Sequence, residues 1–429
     1  MESDNSINVL ISSFACGPYW GSEVGMGWNW IINLSNHCNL VIITEQGFQS
    51  DIEAELPKLN LANKPTFYYI DIGNKGRELF WKQGSFMFYN YYNKWQKKTY
   101  LLGKTLISKH DIKIVHQLNL IGFREPGYLW KLASQIPFVW GPVGGFNQVP
   151  LNYIATFSVR NKLFYYTKHL IQFLQVHFHP RVKKALKASN MVLAESTTTK
   201  KILAKVYNKE SILMNETGAD FHDFYQHKLF CDNNSINLLW VGKIQGLKGL
   251  PIALQTLKNL KENNIPAKLT IVGDGPDEKA CRKLVDKLEI NEMVLFKGKI
   301  PNMEVKTLMK KFDLLFFTSL KEGTPHVVLE ALSNGLPVLC HDACGHGDVV
   351  NNSCGVKVPL KSYKHSVQSF TDHIDYLYKY KCKLYEFSKN AKDTVEQCSW
   401  EKKSKEVVAI YKKLLKDSPT RIVNQTNNN

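Results

Sequence analysis

Leu314-Leu-Phe-Phe-Thr-Ser-Leu-Lys-Glu-Gly-Thr-Pro-His-Val-Val-Leu-Glu-Ala-Leu-Ser-Asn-Gly-Leu-Pro-Val-Leu-Cys340 reads as one strand, turn, helix, turn and strand. Leu314 to Phe317 is an apolar run of strand length, and Pro337-Val-Leu-Cys340 is a second. Between them Thr324 has the side chain of an N-cap, Pro325 suits the first helical position, and Gly335 suits the stop. A strand, helix and strand in succession is the signature of a β-α unit in a parallel sheet.

The same rhythm runs outward in both directions. Upstream of it lie Leu238-Leu-Trp-Val241, Leu269-Thr-Ile-Val272 and Val294-Leu-Phe296, each followed by a helical pattern. An earlier series comprises Ile7 to Ser13, Leu40 to Thr44, Phe67 to Asp71, Ile112 to His116, Phe138 to Trp140 and Met191 to Ala194. The polar stretch Cys231 to Asn237 separates the two series. The expected fold class is therefore α/β, with two Rossmann-like β/α/β domains over residues 1–215 and 237–398 and a linker over 216–236. A further helix is expected over 399–420 and a disordered tail over 421–429. At 429 residues, two domains are also what core growth favours.

Composition narrows the classes of function. The 44% hydrophobic and 22% charged content suits a globular chain. The N-terminal sequence lacks the basic and apolar regions of a secretory signal, and no apolar run has membrane-spanning length. Nine scattered cysteines suit reduced thiols, and the compartment reads as cytoplasmic. The formal charge of +17 points to an anionic partner. Leu79 to His110 holds six Lys and no acid, while Pro126 to Ala194 holds eight Lys or Arg and no acid. Aromatic and aliphatic residues interleave with that charge, and Arg181, Lys183, Lys184 and Lys187 cluster near its end. This pattern suits an anionic membrane surface; a solvated basic face over ordinary core is the alternative. No zinc-finger, RNA-recognition or helix-turn-helix signature is present, so nucleic acid is not an expected partner.

Ligands of open α/β sheets bind beyond the carboxyl ends of the strands, and four turns there are chemically unusual. Ala15-Cys-Gly-Pro-Tyr-Trp-Gly-Ser-Glu-Val-Gly-Met-Gly27 brings Gly17, Gly21, Gly25 and Gly27 after the first strand, either to approach a ligand or as a flexible turn. Val241-Gly-Lys-Ile-Gln-Gly-Leu-Lys-Gly249 sets Lys243 and Lys248 around a turn that suits a nucleoside diphosphate, or is an exposed lysine pair. Gly273-Asp-Gly-Pro276 is either the edge of a nucleotide pocket or a structural turn. Finally, Glu322 precedes the 324–335 helix and Glu330 lies inside it, so that two carboxylates can grip hydroxyls of one ligand beside a helix N-terminus.

Taken together these residues resemble the family 4 glycosyltransferases of GT-B fold. Gly242-Lys243 with Lys248-Gly249, then Gly273 to Pro276, then Glu322 and Glu330 occur in that family's order over the second half; the glycine loop, His116 and Trp140-Gly-Pro-Val-Gly-Gly145 match more loosely. The resemblance implies two domains facing a central cleft, the first binding a saccharide acceptor and the second a UDP- or GDP-linked sugar. It implies a retaining transferase of cell-surface polysaccharide assembly, with a lipid-linked acceptor at the inner face of the membrane. It implies catalytic roles for Glu322, Lys248 and His116, and donor binding by Gly21, Gly242, Lys243, Lys248, Gly273, Gly275, Gly323, Thr324 and Glu330. No cofactor and no metal are implied. Two departures stand out: Lys243 replaces an arginine, and Leu118 replaces the second histidine of a His-x-His, which leaves His116 as a site residue or a structural histidine. A noncatalytic sugar- or nucleotide-binding protein and a GT-B epimerase are the competing readings. Cys340, His341, Cys344, His346 and Cys354 supply metal-ligand types, but their spacing matches no closed zinc module.

Overall fold

The computed structural model describes residues 6–82, 85–120, 122–154, 159–220 and 234–417. The expectations for residues 221–233 of the linker, for 418–420 of the last helix and for the 421–429 tail lie outside the described residues.

The first sheet contains β1 (Ile7–Ser13), β2 (Cys38–Glu45), β3 (Thr66–Ile70), β4 (Ile114–Asn119), β5 (Phe138–Val143), β6 (Met191–Ala194) and β7 (Ile212–Leu213), in the order β3-β2-β1-β4-β5-β6-β7. The second contains β8 (Ile236–Val241), β9 (Ala267–Val272), β10 (Val294–Gly298), β11 (Leu314–Phe317), β12 (Val338–Asp342) and β13 (Gly355–Pro359), in the order β10-β9-β8-β11-β12-β13. The ladders are parallel throughout. The order in which strands are added reverses between β1 and β4 in one sheet and between β8 and β11 in the other. A doubly wound sheet opens its ligand crevice at such a point.

Two strands were not legible beforehand. β7 has only two residues, and Gly355-Val-Lys-Val-Pro359 is too short and too mixed in pattern to stand out from a loop. β4 begins later than its apolar run suggests and continues through Asn119, which puts His116 in mid-strand at the sheet centre.

Alternation along β8 divides the second core: Leu238 and Trp240 enter one apolar layer and Leu239 the other. The two domains are laced together by exchanged segments. Tyr153, on a short helix reached from the first sheet, donates its hydroxyl to Ser362 O at 3.0 Å and lies 2.6 Å from Ser366 Oγ. In return the Trp400–Asp417 helix lies on the first domain, where Trp400 meets Trp30 edge to face at 5.5 Å and Tyr411 joins the core. Ala219 and Ser399 pair as a parallel bridge, so both passages between the domains run side by side.

Candidate active site in the interdomain cleft

The turns after β8 and β11 build the centre of the cleft. Gly249 takes φ +66°, and a Cβ there would lie 2.3 Å from Thr318 O, so only glycine lets the Gly246–Lys248 turn press against the 318–324 loop. Thr318 Oγ1 then donates to Lys248 O at 3.0 Å and receives Trp240 Nε1 at 3.0 Å. This packing delivers Lys248 Nζ to Glu322 Oε1 as an ion pair, with side chains 19% and 17% exposed. Ser319 Oγ also donates to Glu322 Oε1, at 3.0 Å. Burial lowers the Lys248 ammonium to about 8, while the adjacent carboxylate favours its charged form.

Two chambers meet at this pair. The larger, of about 1030 Å³, is lined by Gly21, Gly242, Lys248, Glu322, Thr324 and Glu330 among others. The smaller, of about 330 Å³, shares Lys248, Glu322 and Gly323 with it and extends to Asn147, Lys168 and Glu195. Gly21 caps the Ser22–Ser35 helix with open space beside its α-carbon. Glu330 accepts from Asn302 Nδ2 at 3.1 Å on the far side of the larger chamber.

Several expected residues stand elsewhere. Thr324 is not the N-cap: the helix spans His326–Ser333 with Pro325 as its cap, and Thr324 Oγ1, one residue too early, is buried without accepting any helix N–H, while Thr324 N donates to Glu216 Oε1 at 3.0 Å. Gly273 and Gly275 line neither chamber. A Cβ on Gly273 would lie 2.0 Å from Gly242 O and one on Gly275 2.2 Å from Ile244 O, so this turn props the basic turn from behind. Lys243 is exposed and also lines neither chamber.

His116 is fully buried and does not face the cleft. Its Nε2 lies 2.6 Å from Gly141 O and must donate to that carbonyl; its Nδ1 therefore accepts the Tyr411 hydroxyl at 2.6 Å. Burial holds its pKa down to about 4, which makes it a neutral bolt between the first sheet and the Trp400–Asp417 helix. Arg181 is likewise not a free surface cation, being paired with Glu125 and bonded to Tyr128 Oη at 3.0 Å.

Sequence reasoning missed two buried glutamates. Glu195 follows β6 directly; its Oε1 accepts from Gly145 N at 3.2 Å and Asn147 Nδ2 at 3.4 Å. Burial raises its carboxyl to about 7. Glu216 is raised well above the usual range by burial first and by Glu195 second. A Cβ on Gly323 would lie 2.2 Å from Glu216 Oε1, so the glycine of the Glu322-Gly323-Thr324 turn makes room for that carboxylate. The available signal was position: Glu195 is the first acid after the acid-free stretch, at the carboxyl end of a strand. Among the described residues no group of three His, Cys, Asp or Glu side chains is arranged to hold a metal ion. In the cysteine-rich segment, His341 instead bonds Ser319 O and Ser366 Oγ at 3.2 and 2.9 Å.

Two parallel-sheet Rossmann-like domains facing a cleft have the architecture of the GT-B fold. Residues 222–394 match the family model described as Glycosyl transferases group 1. It is 25% identical over 170 residues to the putative colanic acid biosynthesis glycosyltransferase WcaL of Escherichia coli, covering 38% of this chain and 42% of that protein. The chain thus matches less than half the length of that relative. A glycosyltransferase from Rickettsia africae superposes over 96% of this chain and all of its own, with TM-score 0.64 and 15% identity. Anabaena Alr3699/HepE in complex with UDP superposes over 95% of this chain and all of its own, with TM-score 0.58 and 13% identity.

Proposed function

We propose that this protein is a retaining glycosyltransferase that moves a sugar from a UDP- or GDP-linked donor to a hydroxyl of a saccharide acceptor in cell-surface polysaccharide assembly. The observation behind it is the Lys248–Glu322 pair, placed where a chamber of sugar-nucleotide size meets one of sugar size. The UDP complex of the Anabaena neighbour and the colanic acid role of the Escherichia coli relative agree with this reading.

In this reading the nucleotide occupies the larger chamber, with its ribose hydroxyls at Glu330. The diphosphate lies between Gly21, Lys248 and the positive end of the His326–Ser333 helix, and the donor sugar rests against Glu322. As the bond from the anomeric carbon to the phosphate oxygen breaks, the acceptor oxygen approaches the same face and forms the new bond. The departing phosphate takes the acceptor proton. Lys248 stabilises charge that grows on the leaving diphosphate, and no step requires a metal ion.

The acceptor is lipid-linked in this reading, and the enzyme sits at the cytoplasmic face of the membrane. Along the Val159–Phe178 helix, Leu163, Phe164, Leu170, Ile171, Leu174 and Phe178 are exposed, and Lys183, Lys184 and Lys187 are exposed on the helix that follows. An apolar stripe beside lysines is suited to an anionic bilayer surface. No helix among the described residues is long and apolar enough to cross a membrane.

The test is release of nucleoside diphosphate from labelled sugar nucleotides, with the anomeric configuration of the product read by NMR. Glu322→Ala and Lys248→Ala should each lower turnover about a hundredfold, the effect of losing roughly 3 kcal/mol of transition-state contact, without changing thermal unfolding much. Near-normal turnover by either purified variant would sink the assignment, and donor binding without any transfer would leave a noncatalytic sugar-nucleotide binder.

A further inference from the structure

The smaller chamber holds more positive charge than sugar transfer uses. Lys168 enters it from the Val159–Phe178 helix, where Tyr165, His169 and Gln172 share its face by helical spacing, and Lys321 enters from the loop after β11. Arg124 stands directly behind the wall, its Nε donating to Gln175 Oε1 at 2.6 Å and its second guanidinium nitrogen to Gln172 Oε1 at 3.0 Å. Both of those partners are neutral amides. Two half-buried arginines of the first domain are neutralised by carboxylates, Arg77 by Glu45 and Asp71 and Arg181 by Glu125. Lys168, Lys321 and Arg124 have no such ion pair among the described residues, and they disfavour one another. Burial lowers Lys321 to about 8, with Lys168 and Arg124 adding to the effect; burial lowers Lys168, with Arg124 adding.

A second observation is independent of charge. His169 Nε2, Asn147 Oδ1 and Glu195 Oε2 are buried without a hydrogen-bond partner, and all three residues line this chamber. Asn147 and Glu195 are only 3% and 1% exposed. Buried polar atoms left unbonded are costly, and here they belong to residues that line the same space as the unpaired cations.

We infer that the smaller chamber is a binding site for a phosphate or diphosphate group on the acceptor, neutralised by Lys168 and Lys321 with Arg124 behind them. A phosphate ester brings a charge of roughly −1.5 to −2, against −1 for a carboxylate, and so matches three cations better. Flexible ammonium groups bind phosphate as point charges without needing a fixed fork. Burial raises the Glu195 carboxyl to about 7, so this wall residue repels a phosphate less than an ordinary carboxylate would. The word acceptor rests on the proposed function, since the two chambers join at Lys248 and Glu322. The Lys168 helix turns apolar side chains outward, so a lipid attached to that phosphate has a surface to follow.

The full chain, saturated with UDP so that the larger chamber is filled, is titrated with inorganic pyrophosphate by calorimetry in low salt with chelator. Pyrophosphate should bind in the presence of UDP. The double variant Lys168→Gln/Lys321→Gln should weaken it by at least about tenfold, and Lys168→Arg/Lys321→Arg should retain it within about threefold, because charge rather than shape decides. Pyrophosphate that merely competes with UDP, or that ignores the Gln substitutions, overturns the inference. If UDP itself fails to bind, the functional reading falls, and the pyrophosphate titration against the same variants still decides this one. Displacement of pyrophosphate then identifies the source: glucose 1-phosphate for a soluble acceptor, or phosphatidylcholine vesicles holding a polyprenyl diphosphate for a lipid-linked one. Equal displacement by uncharged methyl glucoside overturns the requirement for an anion.

Discussion

Replacing Glu195 by Gln should make the protein more stable relative to wild type as pH rises. Burial raises the Glu195 carboxyl from its ordinary 4.5 to about 7. Between those values the folded protein keeps a proton that the unfolded chain has lost, so this stabilisation is full below about pH 4.5 and declines until about pH 7. At about 1.36 kcal/mol per pH unit the window is worth about 3 kcal/mol. Gln removes the titration, and the difference in stability between E195Q and wild type should therefore move by about 3 kcal/mol in favour of E195Q from pH 4.5 to 7.5. Relief of Glu216, which Glu195 pushes upward, adds in the same direction. The wild-type profile alone does not isolate this, because burial holds His116 and His341 down to about 4 and His346 to about 3. Those histidines stay neutral in the folded state while the unfolded chain takes up protons below about 6.5, which costs stability as pH falls. They are present in both proteins and cancel in the difference. Differential scanning fluorimetry of both proteins from pH 4.5 to 8 reads it; for a domain of about 200 residues, 3 kcal/mol corresponds to a relative Tm change of about 6–12 °C. A difference that is flat with pH, or that grows towards acid, refutes the reasoning.

A nucleoside diphosphate should bind in the presence of a chelator, since Lys248 and the His326–Ser333 helix supply the positive potential; calorimetric binding that vanishes with chelator and returns with magnesium contradicts this. Replacing Lys183, Lys184 and Lys187 by Gln should weaken sedimentation with anionic vesicles, at about 1 kcal/mol per surface-near lysine, more than replacing three exposed lysines of the second domain. Arg181 is left in place because it is paired with Glu125. Tyr411→Phe removes the donor to buried His116 Nδ1 and should cost about 1–3 kcal/mol of stability. Unchanged thermal unfolding of that variant would show that His116 does not bolt the last helix to the sheet.

The fold class was legible because it depends on local pattern. Strands such as Ile7–Ser13 and Leu314–Phe317 are continuous apolar runs, the helices between them have their own period, and a parallel sheet follows from the alternation. Glu322 and Lys248 could be singled out for the same reason: each lies in a turn beyond a strand, where the sheet topology must open, and Glu330 lies in the helix that follows the Glu322 turn. What the sequence could not determine is which of these residues meet. Lys248 and Glu322 are 74 positions apart, and their pairing depends on Gly249 fitting against Thr318 O. His116 looked like a strand-end residue because its apolar run stops there, whereas β4 continues to Asn119 and Tyr411, 295 positions away, covers the ring. Glu195 and Glu216 owe their raised proton affinities to burial between domains, and burial is a property of the packed chain alone. Local periodicity determined the sheets and the turns at their ends; only tertiary packing decided which charges face the cleft, which are neutralised, and which stand unpaired in the smaller chamber.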